Sequence, residues 1–182
     1  MLAHVIIGNL QVALPAFPTV LPATLSPEVT EATCDIVPTP SAPGAGVRAV
    51  TATFAAAADM PSGSITFTQA SPDAVTTITV NLAGLEATPN KWHIHNFPVD
   101  GACSSTGGHF DPLGVEVNGY STCAGDAAAK ATGCYVGDLS GKHGTLGASV
   151  DDTFSDSSVS LFGTNSVQGR GIVIHKNDGS RW

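Results

Sequence analysis

The sequence predicts an all-β fold, a sandwich or barrel of antiparallel strands with one elaborate loop. Three observations lead there. Short runs dense in Val, Ile, Thr and Phe alternate apolar with polar residues, the period-2 pattern of strands with one buried face. Gly, Pro, Asp and Ser separate those runs, in a chain with 20 Gly, 12 Pro and only 12% charged residues. No helical stripe of useful length breaks the pattern. At 182 residues and 42% hydrophobic content, the chain is large enough for one domain with its own core and gives no reason to expect two.

Residues 1–45 are rich in Ala, Pro and Thr without sustained periodicity and end in PTPSAPGAG, which reads as a leader and linker. The opening MLAHVIIGNLQVALPAFPTVLPA has the apolar run and small residues of a signal peptide. It lacks the positive n-region, since the first Lys or Arg of the chain is Arg48. The domain is expected over residues 46–182. Its strands are expected at 47–54 (VRAVTATF), 63–69 (GSITFTQ), 74–82 (AVTTITVNL), 90–97 (NKWHIHNF), 158–163 (SVSLFG) and 171–176 (GIVIHK). Residues 98–145 form the long loop, with three of the four cysteines and two of the six histidines. A loop of that length inside a compact domain is functional or covalently tied down.

Net charge is −8, from 15 acidic against 7 basic residues. Nucleic acid and anionic membranes need basic patches, so neither is expected as a partner, and an anionic substrate must be drawn in locally. No run reaches the roughly eighteen apolar residues of a membrane-spanning helix. The four cysteines contain no CxxC pair, which argues against a zinc ribbon or thioredoxin motif and for disulfides in an oxidising compartment.

In a strand, residues two apart share a face, so His93 and His95 of KWHIHNF project together while Trp92 and Ile94 project oppositely. His109 follows in TGGHFDP. His175 ends GRGIVIH, on the face opposite Ile172 and Ile174. Four histidines without an acidic ligand suit copper, nickel or zinc better than calcium or magnesium, whose hard chemistry prefers oxygen.

The segments HIHNF, CSSTGGHFDP, GDLSGKHG and GRGIVIHKNDGSRW occur in the order and approximate spacing of the Cu/Zn superoxide dismutases. Over about residues 47–182 the chain resembles that family. The resemblance implies an immunoglobulin-like Greek-key β-barrel with the metal on its outside, between the barrel wall and the long loop. It implies that His93, His95, His109 and His175 are copper ligands, and that His109 lets go of copper on reduction and carries a proton. It makes Arg181 the group that attracts superoxide and hydrogen-bonds it beside copper, and Cys103 the cysteine that ties the long loop to the barrel.

The chain departs from the zinc-containing members in ways that agree with one another. By spacing, Val117 and Tyr135 stand where two zinc histidines are expected, although the aspartate is present as Asp138. Neither Val nor Tyr is an ordinary zinc ligand, so zinc is not expected. Only five residues separate His175 from Arg181, where the zinc family has a long charged loop. Both features resemble the extracellular copper-only enzymes of fungi and oomycetes. Asp138 is then expected to accept the second N–H of a copper-binding imidazole, the alternative being a turn cap. Lys142 and His143 have no matching metal role, His143 being read as structural; His4 falls in the leader.

In the family the loop cysteine pairs with one shortly after the arginine. That cysteine and the last strand are expected beyond Trp182, which reads as a truncation and leaves open cell-surface anchoring through a missing C-terminus. Cys123 and Cys134 are expected to pair, and Cys34 to need a partner outside the visible chain. The function expected is that of a secreted, copper-dependent superoxide dismutase, monomeric. The alternative is a copper storage or delivery module without turnover, against which Arg181 argues.

Overall fold

The computed structural model describes residues 46–87, 89–115 and 123–182. His4, Cys34, Val117 and the expected leader lie outside these. A four-stranded antiparallel sheet has the order β1–β2–β3–β5, from β1 (Arg48–Phe54), β2 (Ser62–Gln69), β3 (Thr76–Ala83) and β5 (Ser149–Asp156). A second antiparallel pair joins β4 (Lys91–Ile94) to β6 (Ile172–His175). β3 shows why the chain folds so: its residues alternate buried and exposed along the whole strand, with Ile78, Val80 and Leu82 turned inward. Ile65 and Phe67 of β2 meet them from the neighbouring strand.

The core lies between the two sheets. From β4 and β6 it receives Trp92, Ile94, Ile172 and Ile174, and from the connections Leu139, Leu146, Val159 and Leu161. Trp92 is fully buried and keeps its polar edge satisfied by donating from Nε1 to the carbonyl of Gly144 at 2.9 Å. Because strand faces alternate, His93, Val173 and His175 fall on the other face of the β4–β6 pair, and the long loop covers that face. The loop is sewn down by backbone bonds, Asn96 N to Gly108 O at 3.0 Å, Phe97 N to Thr106 O at 3.1 Å and Phe110 N to Ile94 O at 2.8 Å. Gly137 closes the seam. It donates to Phe110 O and accepts from Ile94 N, so close to both that a Cβ would strike their backbone.

Three expectations need correction. Residues 158–163 form no strand, because side chains take their backbone donors: Asp156 Oδ1 accepts from Ser158 N and Val159 N, and Gln69 Oε1 accepts from Leu161 N at 2.7 Å. The strand of that region is β5, whose largely exposed face and paired aspartates hide the apolar alternation. The long loop is also not irregular throughout. It carries a 3-10 turn, Cys103–Thr106, and two short helices, α1 (Ala127–Gly133) and α2 (Leu139–His143). Asp126 caps α1 by accepting from Ala129 N, and Asp138 caps α2 by accepting from Gly141 N. α1 buries no residue, so it has no stripe to read.

The expected disulfide Cys123–Cys134 is present and brackets α1. Cys103 is disulfide-bonded as well, which corrects the expectation that it lacks a partner. Lys142 and His143, at the end of α2, converge on Asp156 at the end of β5, with Nζ 2.7 Å and Nε2 2.9 Å from Oδ2. Lys142 Nζ donates further to Val136 O and Ser158 Oγ, each at 2.8 Å. His143 therefore belongs to a buried ionic clamp between α2 and β5. Burial pushes the Asp156 carboxyl up, but the His143 hydrogen bond and Lys142 outweigh it and hold it below the usual range.

Candidate metal centre

His93, His95, His109 and His175 converge, each offering one nitrogen, and these four atoms lie within 4.8 Å of one another. β4 supplies His93, and His95 follows directly in the bridge to His109; β6 supplies His175. His109 comes from the loop, and its ring stacks on His93 with centroids 4.1 Å apart. His93 and His95 are fully buried, His109 and His175 partly so.

Hydrogen bonds around the cluster decide which nitrogen each ring presents. His95 Nδ1 sits 2.9 Å from Gly107 O, and His175 Nδ1 sits 3.2 Å from Gly179 O. A carbonyl only accepts, so both Nδ1 atoms carry the proton and both Nε2 atoms are bare lone pairs. Those two Nε2 atoms are buried and make no hydrogen bond. Buried lone pairs turned toward one point are costly without a ligand and suit a cation. His109 Nδ1 is 2.6 Å from the hydroxyl of Tyr135, which leaves Nε2 as its inward atom. His93 is turned the other way, with Nε2 3.6 Å from Asp138 Oδ1.

Electrostatics agree with a metal-ready site. Burial first, and then neighbouring histidines, lower the basicity of three rings: His93 to about 2, His95 and His109 to about 4. His175 is lowered as well, by burial and Arg181. All four are neutral imidazoles at neutral pH and need shed no proton to ligate. Four neutral nitrogens fit copper or zinc and fit calcium or magnesium poorly.

Asp138 is fully buried at the N-cap of α2, where Oδ1 accepts from Gly141 N at 2.8 Å. The cap and the neighbourhood of His93 therefore coexist, although 3.6 Å is too long for a direct hydrogen bond. Burial raises its pKa, against the Gly141 bond and Lys142. Gly141 is required here because a Cβ would collide with Asp138 Oδ2 and Cys123 Sγ.

Arg181 reaches back across the cluster's rim. Nη1 donates to Cys103 O and Thr106 Oγ1, both at 2.8 Å, and Nη2 donates to Gly107 O at 3.0 Å. Backbone bridging between His175 and Arg181 puts the guanidinium beside the end of β6. Two participants were missed from sequence. Thr106, fully buried, holds Arg181 and lies 3.3 Å from His95 Nδ1. Tyr135 was noted only as a position without histidine, and its hydroxyl is the partner of His109.

Comparison with known proteins adds an independent line. A family described as copper/zinc superoxide dismutase matches residues 61–180. The chain is 38% identical over 119 residues to "Superoxide dismutase [Cu-Zn]" of Schizosaccharomyces pombe, covering 64% of this chain and 71% of that one. It is 38% identical over 126 residues to "Cell surface Cu-only superoxide dismutase 5" of Candida albicans, covering 65% of this chain and 51% of that one. It thus spans about half the length of that relative, and less of another cell-surface dismutase of the same yeast, 44%. The solved structure "Candida albicans Superoxide Dismutase 5 (SOD5), Cu(II)" is similar with a TM-score of 0.62 at 33% identity, covering 73% of this chain and 86% of that one.

Proposed function

The chain belongs to the copper/zinc superoxide dismutase family, and on that premise we propose that it disproportionates superoxide at a single copper ion without zinc. The observation that carries the reading is the far side of His109. Its Nδ1 is taken by the phenol of Tyr135, where a second metal would need a bare nitrogen. In this reading His93 binds through Nδ1, and His95, His109 and His175 through Nε2.

Copper, when bound, supplies one-electron cycling that oxidises one superoxide to oxygen and reduces the next to hydrogen peroxide. The protein's residues do the rest. Arg181 gives a fixed positive charge at the rim and receives the anion, which matters in a chain of net charge −8. His109, the only ligand on the loop rather than on the β4–β6 sheet or its continuation, holds and passes the proton at Nε2. Asp138 supports His93 through its buried charge and holds the start of α2. Thr106 and the Gly107 carbonyl keep Arg181 in place.

The same reading makes residues 46–182 the enzyme domain behind a leader and linker at 1–45, with the protein exported and monomeric. Support for an extracellular place comes from the relatives described as cell-surface proteins. No helix among the described residues is long and apolar enough to cross a membrane.

Metal analysis of the full chain loaded with copper and zinc together, followed by superoxide decay, tests the proposal. One copper per chain, no zinc and catalysed decay are expected. Stoichiometric zinc beside copper ends the copper-only reading. Copper binding with uncatalysed decay gives the storage or delivery reading instead.

A further inference from the structure

We propose that Tyr135 is a positioning residue for His109: its phenol oxygen accepts the Nδ1 proton and keeps the ring aimed inward whether or not Nε2 is coordinated. The inference rests on the copper reading above and assigns a task to a residue that is not a ligand. Three observations support it. The Oη–Nδ1 distance is 2.6 Å. The two rings lie nearly parallel, 14° apart with centroids 5.5 Å apart. Tyr135 is 3% exposed, which excludes bulk water as a competitor for the same nitrogen.

The mount is rigid. Cys134 before it is in the disulfide with Cys123, its own carbonyl accepts from Asp138 N at 2.9 Å, and Val136 after it holds Lys142. Rigidity is what a positioning role requires, because a phenol on a mobile loop fixes nothing.

The chemistry of this partner sets His109 apart from its neighbours. His95 and His175 are held by carbonyls, which only accept. A phenol accepts and donates. A metal cation on the far nitrogen can do neither, and would repel a proton arriving at Nε2. With Tyr135 there, the far-side bond does not depend on what Nε2 carries, and the ring keeps one orientation.

The test has two readouts that do not need turnover. Ring-nitrogen NMR of the metal-free full chain is expected to find His109 as one tautomer with the proton on Nδ1, and Tyr135→Phe is expected to mix the two tautomers. Electron paramagnetic resonance of the copper(II)-loaded proteins is expected to show altered hyperfine coupling in Tyr135→Phe. At unchanged copper content, kcat then falls about 10-fold with little movement in KM. Tyr135→Gln, which returns an acceptor, is expected to recover the single tautomer and most of the rate. Wild-type nitrogen and copper spectra in Tyr135→Phe overturn the inference, as does Tyr135→Gln behaving like Tyr135→Phe. A wild-type chain with the single tautomer but no dismutation instead fails the functional reading and leaves this one standing.

Discussion

Arg181 makes three hydrogen bonds to the loop and still carries a full charge at the rim of the histidine cluster, so its removal deletes attraction without touching a ligand. Arg181→Ala is expected to lower kcat/KM by about 10-fold at low salt with copper content unchanged, by stopped-flow decay of superoxide. The imidazoles carry a second expectation. Their folded pKa values lie below the ordinary 6.5, at about 4 for His95 and His109 and about 2 for His93. Between those values and 6.5 the unfolded chain binds more protons than the folded one, so stability rises with pH across that window. The metal-free protein is therefore expected to lose urea resistance steadily from pH 6.5 down to 4 and to vary little in this respect above 7. Strand period made His93 and His95 legible as a pair and put His175 on the face opposite Ile174, whereas His109 and the full ligand set came from the family resemblance. Tyr135 and Thr106 were not legible, because their partners lie 26 and 75 residues away in sequence and meet only through the loop's path.

The short helix α2 and strand β5 are joined by Lys142 and Asp156, whose side chains are 4% and 2% exposed. Removing one partner strands the other's charge in the interior, and Asp156→Ala is expected to cost about 3–5 kcal/mol in a denaturation curve. The double replacement Lys142→Met with Asp156→Asn is expected to cost less than Asp156→Ala, because no buried charge is left alone and the amide oxygen still accepts from Ser158 N and Val159 N. The Cys123–Cys134 bridge closes an eleven-residue separation around α1, and its replacement by two serines is expected to cost about 2–3 kcal/mol, read from the same curves. These elements were the least legible part of the chain. α1 buries no residue fully, α2 is five residues long, and β5 puts Asp151 and Asp152 where an alternating pattern would be sought. Conversely, residues 158–163 read as a strand because Val159 and Leu161 are buried, yet burial in the core does not require a ladder when Asp156 and Gln69 satisfy the backbone.

Across the whole molecule, a net charge of −8 works against an anionic substrate, and on the proposed reading Arg181 counters it locally. In Arg181→Ala only the repulsion remains, so raising ionic strength from about 0.01 M to about 0.5 M is expected to speed that variant's reaction. A fall in its rate over that range would mean that some other cation guides the anion. The barrel itself was legible as alternation and turn residues, whereas its Greek-key order rested on resemblance, since strand pairing as distant as Thr76 with Asp156 leaves no local trace. One atom deserves a last consequence. The Gly107 carbonyl receives both the Nδ1 proton of His95 and a guanidinium proton of Arg181. On the proposed reading, the spacing between an imidazole that would hold copper and the guanidinium that would receive the anion is therefore gauged from a single peptide unit.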